Sequence, residues 1–128
     1  MPDSIENEYQ VEAKERWPEQ YAESNRKLAR LTEVEQQVLF AKGPAIAERI
    51  AEQFEAGVGS DSAAVQNLIA EHYEWICNFW TPNQAAYAGL ADMYVADARF
   101  AANYETLAAG FAEFMRLAMR DYAFANLG

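Results

Sequence analysis

The chain reads SAAVQNLIAEHYEWICNF from Ser62 to Phe79, and this stretch decides the fold class. Its apolar side chains recur every three or four residues, a spacing that predicts an amphipathic helix with one buried face. The members of this stripe are Val65, Leu68, Ile69, His72, Trp75, Ile76 and Phe79. No segment of the chain shows a convincing alternation with a period of two residues. The sequence therefore predicts an all-α fold.

The segment before this helix predicts another long helix with a clear start. Thr32 and Glu35 have the spacing of a capping box, in which the two side chains satisfy each other's free backbone amides. The pair Gly43 and Pro44 lies inside the pattern and is expected to kink or divide the helix. The glycine-rich segment 57–60 ends it, and Asp61 or Ser62 then caps the next helix.

Downstream, a helix is expected to run from the Thr81 region to about Val95. In this prediction Thr81 is the N-cap, Pro82 takes the first helical position, and Gln84 closes the capping box.

The C-terminal part predicts a short turn followed by a last helix. Asp97 can cap the short helix that Arg99 and Phe100 begin. The last helix is expected to start near Glu105, with Gly110 inside its first turns, where a glycine costs about 1 kcal/mol against alanine.

The N-terminal third is poor in core residues. A polar helix is expected over residues 5–16, and Pro18 then restarts a helix that runs to about Arg30. Helices with thin apolar faces are not stable alone. We therefore expect residues 1–31 to form a mobile helical lid within a single domain of residues 1–128.

Composition limits the classes of partner. A length of 128 residues suits one domain with one core. The net charge of −10 disfavours direct binding to nucleic acid. No apolar run approaches the roughly 18 residues that a membrane span needs. Cys77 is the single cysteine, and no secretory leader is recognisable, so we expect a cytoplasmic protein without an internal disulfide.

Residues with chemical potential are few. His72, the single histidine, is expected to be a partly buried imidazole bonded to a carbonyl or a tyrosine, with a ligand contact as the alternative. Neither a Glu-x-x-His nor a His-x-x-x-His spacing occurs, so we expect no metal site, and a haem on His72 is the least favoured alternative. Cys77 is expected to be inert. We predict no catalytic residue and no cofactor.

Aromatic residues are concentrated in the middle of the chain. Eight of the 17 fall between Tyr73 and Tyr104. Tyr73, Trp80 and Tyr87 lie off the main apolar line, around the corner at residues 79–82. Two interpretations stay open: these rings fill the core, or they line a pocket for a flat, partly apolar molecule.

Several segments resemble one known family. The chain carries EHYEWI at residues 71–76, LADMYVADARF at residues 90–100, NY at residues 103–104, and GFAEFM at residues 110–115. Upstream, ERW at residues 15–17 and YAES at residues 21–24 match the same family's opening helices. From about Glu8 to Tyr122 the chain resembles the TipAS antibiotic-recognition domain.

The resemblance implies a globin-like domain of about six to seven helices, with N-terminal helices that order over the ligand. Family ligands are large, aromatic, heterocycle-rich antibiotics such as thiopeptides. Some members form the C-terminal half of MerR-type activators, and others stand alone and sequester the drug. We expect non-catalytic binding and sequestration of such an antibiotic, which gives drug resistance. The alternative is an effector-sensing subunit that signals to a separate MerR-type regulator, and a homodimer is a further possible partner.

Two departures from the family pattern affect this expectation. No DNA-binding segment is recognised in these 128 residues, so we expect contact with a promoter to need a separate subunit. Some relatives trap thiopeptides covalently with a cysteine in the helix that leads to Met93 and Tyr94. Here residues 82–92 contain no cysteine and Gly89 is near the corresponding place, so we expect no covalent capture.

The ligand is expected to bind between the helices of residues 62–79 and 82–95. Rings would stack on it, His72 would offer a polar contact, and Trp17 and Tyr21 would close over it. The stacking residues are Trp75, Phe79, Trp80, Tyr87 and Tyr94.

Overall fold

The computed structural model describes residues 18–127, without the side chains at positions 18, 20 and 21. These residues form six helices and no strand, so the predicted all-α class is confirmed. The helices are α1 (Pro18–Leu28), α2 (Glu33–Glu55), α3 (Ala63–Ile76), α4 (Gln84–Ala96), α5 (Ala98–Glu105) and α6 (Phe111–Asn126). The helix expected over residues 5–16 lies outside the described residues, and the extent of the domain over residues 1–128 stays a prediction.

The core lies where α2, α3, α4 and α6 meet. Its largest fully buried apolar side chains come from all four helices, which explains why each has an apolar face that needs a neighbour. They include Ile50, Ile69, Tyr87, Phe111 and Met115. None of the helices within residues 18–127 has the length and apolar character to cross a membrane.

Helix α2 begins as predicted but is not divided. The Thr32 hydroxyl accepts from the Glu35 amide at 3.1 Å, and the Glu35 carboxylate accepts from the Thr32 amide at 2.8 Å, which completes the capping box. The helix then runs through Pro44 for 23 residues without a break, so a division at Gly43 and Pro44 is wrong, whereas a kink there stays a prediction. Gly43 has no Cβ to collide with the Pro44 ring. Buried side chains on both sides of Pro44, such as Leu39 and Ile46, also hold the two halves in place.

The start of α4 differs from the prediction. Asn83 is the N-cap, and its side-chain carbonyl accepts from the Ala86 amide at 2.9 Å. Pro82 precedes the helix and is buried. The Gln84 amide does not close a capping box but donates to the carbonyl of Leu127 at 2.7 Å. Docking of the Gln84 side chain on the end of α6 therefore accompanies a helix start at Asn83, two residues after the predicted cap Thr81.

Helices α5 and α6 meet at a left-handed glycine. Asp97 caps α5 as predicted, by accepting from the Arg99 amide at 2.9 Å. The expected start of the last helix near Glu105 is wrong, because Gly110 has a φ of 87° and α6 begins after it, at Phe111. The Glu105 carboxylate accepts from the amides of Gly110 and Ala112, both at 2.9 Å, and so satisfies the free donors at the start of α6.

Helix α1 begins at Pro18 as predicted and contacts the turn after α3. The Ser24 hydroxyl donates to the Phe79 carbonyl at 3.1 Å, and the Lys27 ammonium donates to the Cys77 carbonyl at 2.9 Å. Within the part of α1 whose side chains are described, none is buried. This agrees with the thin apolar face seen in the sequence, whereas the mobility of residues 1–31 stays a prediction.

Candidate ligand-binding site

A cavity of about 430 Å³ opens between α2, α3, the end of α4 and α5. We call it the inner cavity. Its wall is mostly apolar and aromatic, with a few polar groups at the edge. The lining residues are Gly43, Pro44, Ala47, Glu48, His72, Trp75, Tyr94, Phe100, Asn103, Tyr104 and Leu107.

His72 forms a buried polar part of this wall. Its imidazole is 2% exposed, and its Nδ1 atom lies 2.7 Å from the Tyr87 hydroxyl. This confirms the predicted buried imidazole bonded to a tyrosine. Burial lowers the pKa of His72 to about 4, so the imidazole is neutral near pH 7. His72 can thus hydrogen-bond to a bound molecule without carrying a charge.

Two tyrosines and a phenylalanine form the aromatic part of the cavity. The rings of Tyr94 and Tyr104 have centroids 5.0 Å apart, and Phe100 lies 5.8 Å from Tyr94. Burial raises the pKa of Tyr94 to about 12 and that of Tyr104 well above its ordinary value. Both phenols therefore stay protonated at physiological pH and present flat faces with neutral hydroxyl groups.

Trp75 closes the cavity on the side of α2. Its indole Nε1 donates to the Leu39 carbonyl at 2.8 Å, which ties α3 to α2. Phe79 packs edge-on against the indole, with centroids 5.1 Å apart, and stacks on Phe40 at 5.9 Å. Phe79 therefore supports Trp75 rather than the cavity itself.

A second hollow of about 590 Å³ lies between α1 and the start of α4. We call it the α1 groove. Trp80 lies in its wall, but most of the other residues are polar or small. The lining residues are Glu19, Ala22, Glu23, Arg26, Trp80, Thr81, Pro82, Asn83 and Ala86. Tyr21 belongs to α1, but its side chain and the whole of Trp17 lie outside the described residues.

The predicted site residues are thus divided among three places. His72, Trp75 and Tyr94 meet at the inner cavity, whereas Trp80 lies in the α1 groove. Tyr87 is 0% exposed, which favours core filling, the first of the two open interpretations, for this ring. It contacts Tyr73 of α3 and Tyr122 of α6, so α4 buries side chains on more than one stripe.

The sequence did not indicate the contribution of α2 and α5 to the cavity. Neither Phe100 nor the α2 residues around Gly43 are among the predicted ligand contacts, yet both line the cavity. One signal was present, because a glycine followed by proline inside a capped helix marks a face that another side chain can approach closely. Within residues 18–127 no group of three or more His, Cys, Asp or Glu side chains could hold a metal ion.

These features define a small all-helical domain with a ring-lined cavity and no metal centre in its described part. The sequence model of the TipAS antibiotic-recognition domain matches residues 9–122. The chain therefore belongs to the TipAS antibiotic-recognition domain family, as the resemblance in the sequence predicted.

Curated and solved relatives agree with this assignment. The HTH-type transcriptional regulator SkgA of Caulobacter vibrioides is 36% identical over 81 residues, which is 62% of this chain and 32% of SkgA. The HTH-type transcriptional activator TipA of Streptomyces coelicolor is 28% identical over 113 residues, which is 86% of this chain and 45% of TipA. The chain thus spans about a third to just under half of these relatives.

The fold of this chain is similar to a solved structure of TipAS in complex with nosiheptide. That protein belongs to a thiopeptide antibiotic multidrug resistance system of Streptomyces lividans. The TM-score is 0.80 at 27% identity, and the match covers 93% of this chain and 85% of that chain.

Proposed function

We propose that this chain binds a large, aromatic, heterocycle-rich antibiotic of the thiopeptide kind and holds it without changing it chemically. Family membership and the similarity to a nosiheptide complex support the class of ligand. Among the residues that the structure describes, the cavity has no Ser, Cys or Lys in its lining, and burial lowers the pKa of His72 and raises the pKa values of Tyr94 and Tyr104, which supports binding rather than catalysis.

The inner cavity is the observation that carries the proposal. Its volume of about 430 Å³ is within the range of small-molecule sites, roughly 300–1,000 Å³, and its wall combines rings with a few polar edges. A large antibiotic is too big to enter as a whole. One heterocyclic portion would insert between the rings of Trp75 and Tyr94, and the remainder would lie outside the cavity.

The polar groups of the cavity would orient this portion. Neutral His72 can hydrogen-bond to a ring nitrogen or amide, and its contact with Tyr87 holds the imidazole in one orientation. Glu48 and Asn103 lie at the exposed edge, where they would meet the amides of the part outside. Tyr87 and Phe79 act behind the wall and would not touch the ligand.

The α1 groove would serve as the outer wall of the site. Trp80 would contact the part of the antibiotic outside the inner cavity, and Trp17 and Tyr21 would close over it as α1 and the preceding residues dock. Part of the contact energy would then be used to order this segment, by a few kcal/mol.

Binding would be reversible. Helix α4 contains no cysteine, and Gly89, near the place where some relatives carry one, is exposed. Cys77 is half-buried at the end of α3, outside the lining of both hollows.

Calorimetric titration with nosiheptide tests the proposed site. Ala47 lines the inner cavity and is 8% exposed, so Ala47→Leu places extra atoms in the cavity and should weaken binding about tenfold or more. Ala85→Leu, at an exposed position of α4 outside both hollows, is the matched control and should bind as the unmodified protein does. Equal affinities for the two variants, both folded by circular dichroism, would exclude the inner cavity as the site.

A second function is favoured by the relatives, because SkgA and TipA are transcriptional regulators. In that role the chain would be an effector-sensing subunit that conveys ligand occupancy to a MerR-type regulator. Affinity capture from the host with and without nosiheptide distinguishes the two roles, since only the sensing role predicts a regulator whose recovery changes with the antibiotic. A cytoplasmic location and a homodimer stay predictions.

A further inference from the structure

The indole of Trp75 separates two hollows of similar size. One is the inner cavity of about 430 Å³. The other is a more polar hollow of about 410 Å³ between α2 and α3, here called the outer groove, with Lys42, Arg49 and Glu71 in its wall. Trp75 is the residue that the two walls share. The position of the Trp75 indole therefore determines how the space between α2 and α3 is divided between the inner cavity and the outer groove.

Two contacts fix the indole from behind. Its Nε1 atom donates to the Leu39 carbonyl at 2.8 Å, and the ring of Phe79 packs edge-on against it. The indole is rigid, so it cannot yield at one end as a flexible side chain could.

Gly43 provides the space in which the far edge of the indole lies. A Cβ atom at position 43 would be 2.5 Å from each of Cη2 and Cζ2 of Trp75, and 3.0 Å from its Cε2. The two separations of 2.5 Å are about 1 Å shorter, and that of 3.0 Å is about 0.5 Å shorter, than the roughly 3.5 Å of ordinary carbon–carbon contact. Any other residue at position 43 would therefore displace the indole or push α2 away from α3.

We propose that Gly43 is a positioning residue of the ligand site that acts through Trp75. By lacking a side chain, it lets the indole close the inner cavity at the depth that a heterocycle of the ligand requires. This inference rests on the proposed function for its ligand, but the placement of the indole can be tested without any ligand.

The experiment uses Gly43→Ala in two backgrounds. An alanine before proline is disfavoured in a helix, so Gly43→Ala alone changes both the backbone and the contact with Trp75. In a Pro44→Ala background the backbone restriction is gone and the clash with the indole remains. The comparison of Pro44→Ala with the Gly43→Ala/Pro44→Ala double variant therefore isolates the contact.

The first readout is the indole N–H of Trp75, followed by ¹⁵N NMR and hydrogen exchange without ligand. The Gly43→Ala change should shift this resonance and reduce its protection about tenfold in both backgrounds, while Trp80 stays unchanged. An unaltered Trp75 resonance in both backgrounds would overturn the proposal, whatever the ligand does.

The second readout is the affinity for nosiheptide. Gly43→Ala should weaken binding about tenfold in the Pro44→Ala background, a typical effect for a buried aromatic contact. In a Trp75→Leu background the same change should have at most about a twofold effect. A displaced indole with unchanged affinity would refute the positioning role and leave the proposed function intact. Absence of nosiheptide binding by the unmodified protein would refute the proposed function and the ligand part of this inference, but not the placement of the indole.

Discussion

Acidification from pH 7 to pH 5 should lower the free energy of unfolding by about 2 kcal/mol through His72 alone. The imidazole is 2% exposed, and burial lowers its pKa from 6.5 to about 4. Between these two values the unfolded chain binds a proton that the folded protein excludes. The contribution of neutral His72 to the free energy of unfolding is therefore fully present above about pH 6.5. It is lost as the pH falls, with no further loss below about pH 4.

The magnitude follows from the size of the pKa difference. A difference of one pKa unit corresponds to about 1.4 kcal/mol, so the whole contribution is about 3 kcal/mol. Most of it, about 2 kcal/mol, is lost by pH 5, before most carboxylates are protonated.

Urea unfolding followed by circular dichroism at pH 7, 6 and 5 measures this loss, with His72→Gln as the control. Glu105 and Glu113 accept hydrogen bonds that lower the pKa of each carboxyl group. Protonation of these carboxylates in acid therefore also destabilises the fold, but equally in the unmodified protein and in the His72→Gln variant. The difference between the two proteins should therefore isolate His72. A difference in pH dependence below about 0.5 kcal/mol, or a His72 pKa near 6.5 by NMR in the folded protein, would show that burial does not exclude the proton from His72.

Three stability predictions follow from single contacts and can be measured by urea unfolding at pH 7. Thr32→Ala removes the capping box of α2 and should cost about 1 kcal/mol; a neutral effect would mean that the start of α2 is frayed in solution. Gly110→Ala forces a side chain into a left-handed conformation with a φ of 87° and should cost about 1–2 kcal/mol of stability. Gly89→Ala, at an exposed position inside α4 with nothing near the added Cβ, should instead stabilise the protein by up to about 1 kcal/mol. Equal effects at the two glycines would contradict the φ at Gly110. Tyr87→Phe leaves the Nδ1 atom of buried His72 without its partner and should cost about 1–3 kcal/mol; a cost near zero would indicate that water replaces the phenol.

Local sequence signals predicted the helices well where the chain itself supplies the partners. The capping pair of Thr32 and Glu35, the cap at Asp97 and the start of α1 at Pro18 each depend on residues within one turn. The start of α4 could not be predicted in the same way, because the Gln84 side chain bonds to the end of α6, more than forty residues away in sequence.

The candidate site was predictable only in part, for a similar reason. The stripe on α3 correctly indicated that His72 and Trp75 lie on an inner face. Gly43 marks a face of α2 that can be approached closely, but which side chain approaches it depends on how α2 and α3 cross, and this is not a local property of the sequence. The burial of Tyr87 likewise depends on contacts with Tyr73 of α3 and Tyr122 of α6, whereas the periodicity of a single helix predicts one buried stripe.

Intermolecular NOEs between nosiheptide and the protein would locate the bound antibiotic. If a heterocycle enters the inner cavity, aromatic protons of the antibiotic should give NOEs to the rings of Trp75, Tyr94 and Tyr104. NOEs confined to Trp80 and Ala86 in the α1 groove, with none to the inner cavity, would contradict this mode of binding.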